Sequence, residues 1–183
     1  MLKHYVKRMR GGGDFTPRHT LGWMIWSSLG AFCGILLVGS FNKLLMLPVT
    51  ENIFLIGSFG ASAVLIYGTP HVPYAQPRNL LGGHVISALT AVTITQYIHL
   101  PLELQAALVV SSVLLLMHLT RTLHPPGGAT ALIVVIGGEQ VHDMGYEFVF
   151  APVLSGALIL LLVAIVLNNL SSDGDRCYPK SWW

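Results

Sequence analysis

Two short stretches of this chain carry residue types that bind small anions without a charged side chain. The first is Phe59-Gly60-Ala61-Ser62-Ala63-Val64. The second is Gly127-Gly128-Ala129-Thr130-Ala131-Leu132, preceded by His124-Pro125-Pro126. Pro125 holds His124 extended, and Pro126 suits the first position of a helix. A helix that starts at either stretch leaves its first amide N–H groups without partners. Helix N-termini carry partial positive charge and receive anions, and small residues leave that backbone open. The expected binding set is Gly60, Ala61, Ser62, Gly127, Gly128, Ala129 and Thr130, acting through backbone N–H and hydroxyl groups, with His124 alongside. The same small residues equally let membrane helices pack closely, and that reading stands beside the first.

The remaining polar residues add few options. His124 can donate a hydrogen bond to an anion, carry a proton, or be satisfied by a neighbouring carbonyl. His84, after Gly82-Gly83, lies inside an apolar run, where an ionisable group is a functional candidate or an interhelical hydrogen bond. Arg78 and Arg121 either line an inner vestibule or flank the membrane. No metalloprotease, nucleophile-elbow, phosphate-loop or Cys-x-x-Cys pattern occurs. No carboxylate falls within an apolar run, so neither an enzyme nor a metal site is expected, and no cofactor. Cys33 and Cys177 are too few for a disulfide framework. The basic residues are dispersed, which excludes nucleic acid as a partner.

The elements that must position these residues follow from the apolar pattern. About 53% of residues are hydrophobic and 10% charged, where a soluble domain has roughly a quarter charged. Charge-free runs extend over 21–41, 52–67, 80–97, 104–117, 127–138 and 148–167. A spanning helix needs about 20 apolar residues. Four runs approach that length; the second and fifth are short and glycine-rich. Those two contain the stretches quoted above, which match at an offset of 68 residues, as do Val85-Ile86-Ser87-Ala88 and Val153-Leu154-Ser155-Gly156. Three crossings per unit is an odd number, so the second unit runs opposite to the first.

The expected fold is all-α, with six transmembrane segments arranged as two inverted three-helix repeats. Repeat one covers about 21–99 and repeat two about 102–168, within a transmembrane domain over 21–168. Each repeat holds a broken helix, expected over 61–68 and 129–137. A four-span protein with two buried hairpins is the alternative.

Six crossings with the N-terminus inside place nine of ten basic residues on the inner side, leaving only Lys43 outside. Such a bias marks the cytoplasmic face, so both termini are expected there, in the cell's inner (plasma) membrane. Residues 1–20 read as a cytoplasmic arm at the membrane surface and 169–183 as a cytoplasmic tail. No short apolar stretch with a cleavage site follows the first basic residues. A homo-oligomer is a further expectation for so small a membrane unit.

The segment 124–132 closely resembles the signature that gives the HPP family of integral membrane proteins its name. Phe59-Gly60-Ala61-Ser62-Ala63, Gln76-Pro77-Arg78-Asn79 and Gly82-Gly83-His84-Val85-Ile86-Ser87-Ala88 resemble its other characteristic stretches, from about residue 20 to 168. Many members carry appended CBS-type domains; none is expected within these 183 residues. The resemblance implies passive or secondary transport of nitrite. Typical members often have a non-basic residue near Arg121.

The expected function is a transporter or channel for a small inorganic anion, nitrite first. The alternatives are a pathway for a small neutral solute or weak acid, and a membrane enzyme using His84, His118 and His124 on a metal. A non-transporting regulatory subunit fits the internal repeat poorly.

Overall fold

The computed structural model describes residues 19–44 and 55–183, without the side chains of 42–44. The basic arm over 1–18 and the loop that carries Glu51 lie outside the described residues, and so does the side chain of Lys43. Among the described residues the α-helices in order are α1 (Leu21–Leu44), α2 (Gly57–Gly68), α3 (Pro77–Tyr97), α4 (Leu102–Leu119), α5 (Pro126–Ile136), α6 (Gly138–Met144) and α7 (Val149–Leu170, kinked at the non-helical Ala151). Among the described residues there is no strand.

Three of these helices are long and apolar enough to cross a bilayer: 21 residues of α1, the 18 of α4 and the 22 of α7. α3 has 21 residues but more polar ones. α2 and α5 have 12 and 11 residues, about 18 and 16 Å at ~1.5 Å per residue. The outward faces are apolar, with Phe32, Leu36, Leu115, Phe150 and Leu162 exposed. Water would penalise such a surface, whereas lipid tails suit it.

Helix starts differ from expectation in an instructive way. α2 begins at Gly57, four residues before the expected Ala61, because Ser58 and Phe59 are fully buried. Packing outweighs the cost of helical glycine, about 1 kcal/mol each. α3 begins at Pro77, so Arg78 and Asn79 lie in a helical first turn. α5 begins at Pro126, as its proline suggests, and Gly127-Gly128 are helical rather than part of the approach. The stretch between the last two apolar runs holds most of the short helix α6, which begins at Gly138.

Contacts sort the helix ends to two faces. Trp23 Nε1 donates to the Gly68 carbonyl (3.0 Å), joining the start of α1 to the end of α2. Asn168 Nδ2 donates to the Ile66 carbonyl (3.1 Å), bringing in the end of α7. Arg78 donates to the Thr120 carbonyl (2.8 Å), joining the start of α3 to the end of α4. On the opposite face, Gln96, His99, Gln105, Val135 and His142 line a cavity of about 430 Å³.

Two apolar cores result. One gathers Val38, Phe59, Ile66, Tyr67, Leu160 and Ala164 from α1, α2 and α7. The other gathers Ala88, Val92, Val109, Val113, Ala131 and Val134 from α3, α4 and α5. Each short helix is thus wrapped by two longer ones. Gly156 makes room for Phe59, since a Cβ there would lie 2.3 Å from its ring.

Candidate functional site

The two short helices meet along their buried faces, and their polar residues meet with them. Ser62 on α2 and Thr130 on α5 are the pair matched by the 68-residue offset. His84 of α3 stands between them: its Nε2 lies 2.8 Å from Ser62 Oγ and its Nδ1 2.7 Å from Thr130 Oγ1. His124 Nε2 lies 2.8 Å from the same Ser62 Oγ, and its Nδ1 2.8 Å from the Tyr74 carbonyl oxygen. All four side chains are fully buried. The two imidazoles sit edge to face with centroids 4.9 Å apart, and the Phe59 ring closes on His84 at 5.4 Å.

One acceptor orients the whole chain of bonds. The Tyr74 carbonyl can only accept, so His124 Nδ1 carries the hydrogen, and with a neutral ring its Nε2 accepts from the Ser62 hydroxyl. Ser62 Oγ then accepts from His84 Nε2–H, and His84 Nδ1 accepts from the Thr130 hydroxyl. Four hydrogen bonds therefore run in one direction, from Thr130 to Tyr74.

Local sequence explains how His124 arrives there. α4 ends in a Schellman turn, with Thr122 N–H on the Met117 carbonyl (2.9 Å) and Arg121 N–H on the His118 carbonyl (3.2 Å). Arg121 occupies the left-handed position of that turn, at φ 56°. The extended segment that follows lies against α3. Asn79 Nδ2 donates to the Leu123 carbonyl (2.8 Å). A Cβ on Gly83 would come within 2.4 Å of His124 Cβ and 2.9 Å of the Thr122 carbonyl. Gly82-Gly83 thus lets this backbone close on α3.

The expected binding residues divide. Ser62, His84, His124 and Thr130 come together. Gly127 is buried against Ser87 and Gly83 of α3. Gly60 and Ala61 are exposed on the other face of α2. Gly128 and Ala129 are half-buried, and a Cβ on either Gly60 or Gly128 would meet nothing within 4 Å. The Gly127 and Gly128 N–H groups bond to the His124 and Pro125 carbonyls (2.8 and 3.1 Å). Those amides are therefore spent within the chain, which corrects the expectation of open donors at this helix start. Arg78 caps α4, and Arg121 is exposed on its turn, so neither reaches the cluster. His118 is also exposed. Among the described residues no group of three or more His, Cys, Asp or Glu could hold a metal.

Sequence reasoning missed Tyr74, whose contribution is a backbone carbonyl with no side-chain signal. It also missed the segment after α7, read as a plain tail. Arg176 there is buried, donating to the Trp23 and Tyr67 carbonyls, Ser27 Oγ and Asn168 Oδ1 (3.3, 2.9, 3.0 and 2.7 Å). Its guanidinium also stacks 4.7 Å over the Trp23 ring. Tyr178 donates to the Ala75 carbonyl (2.7 Å), and Gln76 Oε1 accepts from Lys180 N–H (2.8 Å).

The family model described as "HPP, transmembrane region" matches residues 16–179. Two transmembrane proteins of Dictyostelium discoideum are similar to this chain. One is 45% identical over 185 residues, covering 98% of this chain and 57% of the relative. The other is 47% identical over 187 residues, covering 100% of this chain and 64% of the relative. The chain thus spans about three fifths of the length of these relatives. No solved structure matches it.

Proposed function

Because this chain belongs to the HPP family of transmembrane proteins, we propose that it moves a small inorganic anion, nitrite first, across a membrane. The observation that carries this reading is the buried cluster of Ser62, His84, His124 and Thr130 where the two short helices meet. Buried polar groups inside a membrane protein mark solute pathways. In the arrangement described, the donors satisfy one another. An entering anion takes over the hydrogen bonds of the Ser62 and Thr130 hydroxyls and the His84 N–H. Among the described residues no carboxylate is bonded to the cluster to repel it.

The proposal includes six crossings in two inverted repeats over 21–168, in the plasma membrane with both termini cytoplasmic. The packing pairs support that arrangement: α1 on α2 and α7 in one half answers α4 on α5 and α3 in the other. The face bearing Trp23, Arg78, Thr120 and Arg176 is then cytoplasmic. Entry of an anion against 100 mV, inside negative, costs about 2.3 kcal/mol per charge, so uptake needs a gradient or a coupled cation.

A second reading, a channel for a small neutral solute or weak acid, is favoured by one feature: the cluster carries no formally charged side chain in its hydrogen-bonded form. Flux into proteoliposomes separates the two. Nitrite, nitrate, formate and chloride are offered beside urea at clamped potentials, with protein-free liposomes subtracted. Nitrite flux that responds to potential, and falls with His84→Ala, is expected. Urea flux indifferent to potential, with no nitrite flux above background, overturns the anion reading.

A further inference from the structure

The face that gathers the starts of α1 and α3 carries an open groove of about 640 Å³, bounded by α3, the turn after α4 and residues 182–183. Leu81, Gly82, Val85, Thr122, Trp182 and Trp183 are among its walls. Arg78 lines both this groove and an adjoining hollow of about 270 Å³, which Lys180 lines as well. We propose that the groove binds one anionic phospholipid of the leaflet on this side, with its phosphodiester on Arg78 and Lys180 and an acyl chain along α3, whatever solute the protein moves.

The basic groups are held in place and uncommitted. Arg78 uses Nη2 on the Thr120 carbonyl (2.8 Å), and its remaining N–H groups meet no acceptor among the described residues. Lys180 is anchored through its backbone: its N–H and that of Ser181 both donate to Gln76 Oε1 (2.8 and 3.3 Å). Tyr178 fixes the same segment on the Ala75 carbonyl (2.7 Å). The Lys180 ammonium itself has no partner among the described residues. A guanidinium fork beside an ammonium suits a phosphate group. No side-chain carboxylate is among the described residues that line either hollow, so the ammonium of a zwitterionic headgroup would go unpaired there. The opposite face carries Glu103, Glu139, Asp143 and Glu147, which repel an anionic lipid.

The apolar part of the groove has the reach of one acyl chain. Leu81, Val85 and Leu89 follow Arg78 at spacings of three or four residues, so they share one stripe of α3. Leu89 is 46% exposed, and Leu81 and Val85 are half-buried. From Arg78 to Leu89 the stripe rises about 16 Å at ~1.5 Å per residue. That is about half of a 30 Å hydrocarbon core, the depth of a single leaflet. Trp182 and Trp183 stand exposed at the headgroup end, where amphipathic rings settle at a membrane boundary. A soluble phosphate would use the basic groups and leave this stripe empty.

The test titrates the full chain in neutral detergent with phosphatidylglycerol, and separately with phosphatidylcholine of the same acyl chains. Bound lipid is counted by native mass spectrometry. One phosphatidylglycerol per chain is expected to stay bound and to raise the melting temperature; phosphatidylcholine should do neither. Lys180→Gln leaves the backbone anchor intact and should weaken binding about fivefold, the worth of one basic residue at an anionic surface. Adding Arg78→Gln should weaken it again by a similar factor. Lys180→Gln alone decides the matter if the double variant fails to fold. Arg121→Gln removes an exposed charge outside both hollows and should leave the affinity unchanged. Equal retention of the two lipids, or equal losses from Arg121→Gln and Lys180→Gln, overturns the site in favour of diffuse surface charge. Inorganic phosphate and glycerophosphoglycerol serve as competitors. Displacement of the lipid by either at equal concentration overturns the acyl track and leaves a site for free phosphate.

Discussion

Thr130 is the residue whose role can be isolated most cleanly, because valine matches its shape. Thr130→Val removes the hydroxyl that faces His84 Nδ1 and leaves a buried acceptor without a donor. Such an orphan costs about 1–3 kcal/mol, so the unfolding midpoint in detergent should fall and Thr130→Ser should restore it. An unchanged midpoint would mean that His84 finds another donor. Ser62 and His84 carry an analogous dependence, since Ser62 Oγ serves both imidazoles. The residue types here were legible from the sequence: each lies in a stretch set apart by glycines inside an apolar run. Their mutual bonding was not, because nothing in a 22-residue separation says which faces of α2 and α3 turn together.

At the scale of the elements, α3 acts as the bed on which the extended segment 122–124 is laid. Gly83 and Gly128 make a paired test of that role. Gly83→Ala drives a Cβ into His124 and the Thr122 carbonyl. Overpacking of this kind costs about 1–3 kcal/mol, and the cluster should lose its hydrogen bonds with it. Gly128→Ala meets no atom within 4 Å and removes a glycine from a helix, a gain of up to about 1 kcal/mol. Thermal unfolding of the two variants should move in opposite directions; equal destabilisation would refute the packing shown for Gly83. The short helices were expected as half-helices whose first amides stay open. Pro126 made the start of α5 readable, whereas the start of α2 was set by burial of Ser58 and Phe59 against partners remote in sequence. Arg121 illustrates the same limit: a glycine at the left-handed position of the turn after α4 would have announced it, and an arginine hides it.

Across the whole molecule, Arg176 ties the segment after α7 to the starts and ends of three helices. Its four hydrogen-bonded acceptors come from α1, α2 and α7. Losing hydrogen bonds to a charged donor costs about 1.5–3 kcal/mol. Arg176→Lys should therefore destabilise nearly as much as Arg176→Met, because an ammonium cannot present a planar fork to separate acceptors. Full recovery by lysine, measured as the melting temperature, would show that charge alone matters. Topology has its own check. Cysteine labelling from outside intact cells should reach a probe at Asp143 and spare one at Arg78, and labelling at Arg78 would end the six-crossing proposal.

The sequence by itself determined that the chain is helical and apolar, and where its longest apolar helices lie. Those properties follow from local composition, which is visible in one dimension. Only the tertiary structure decided that the matched hydroxyls of Ser62 and Thr130 share His84, that a backbone carbonyl orients both imidazoles, and that Arg176 is a clamp. Each of these depends on the relative rotation of helices far apart in the chain. That rotation is set by close approaches such as Gly156 on Phe59 and Gly83 on His124, and no local pattern of residues encodes which surface a glycine will admit.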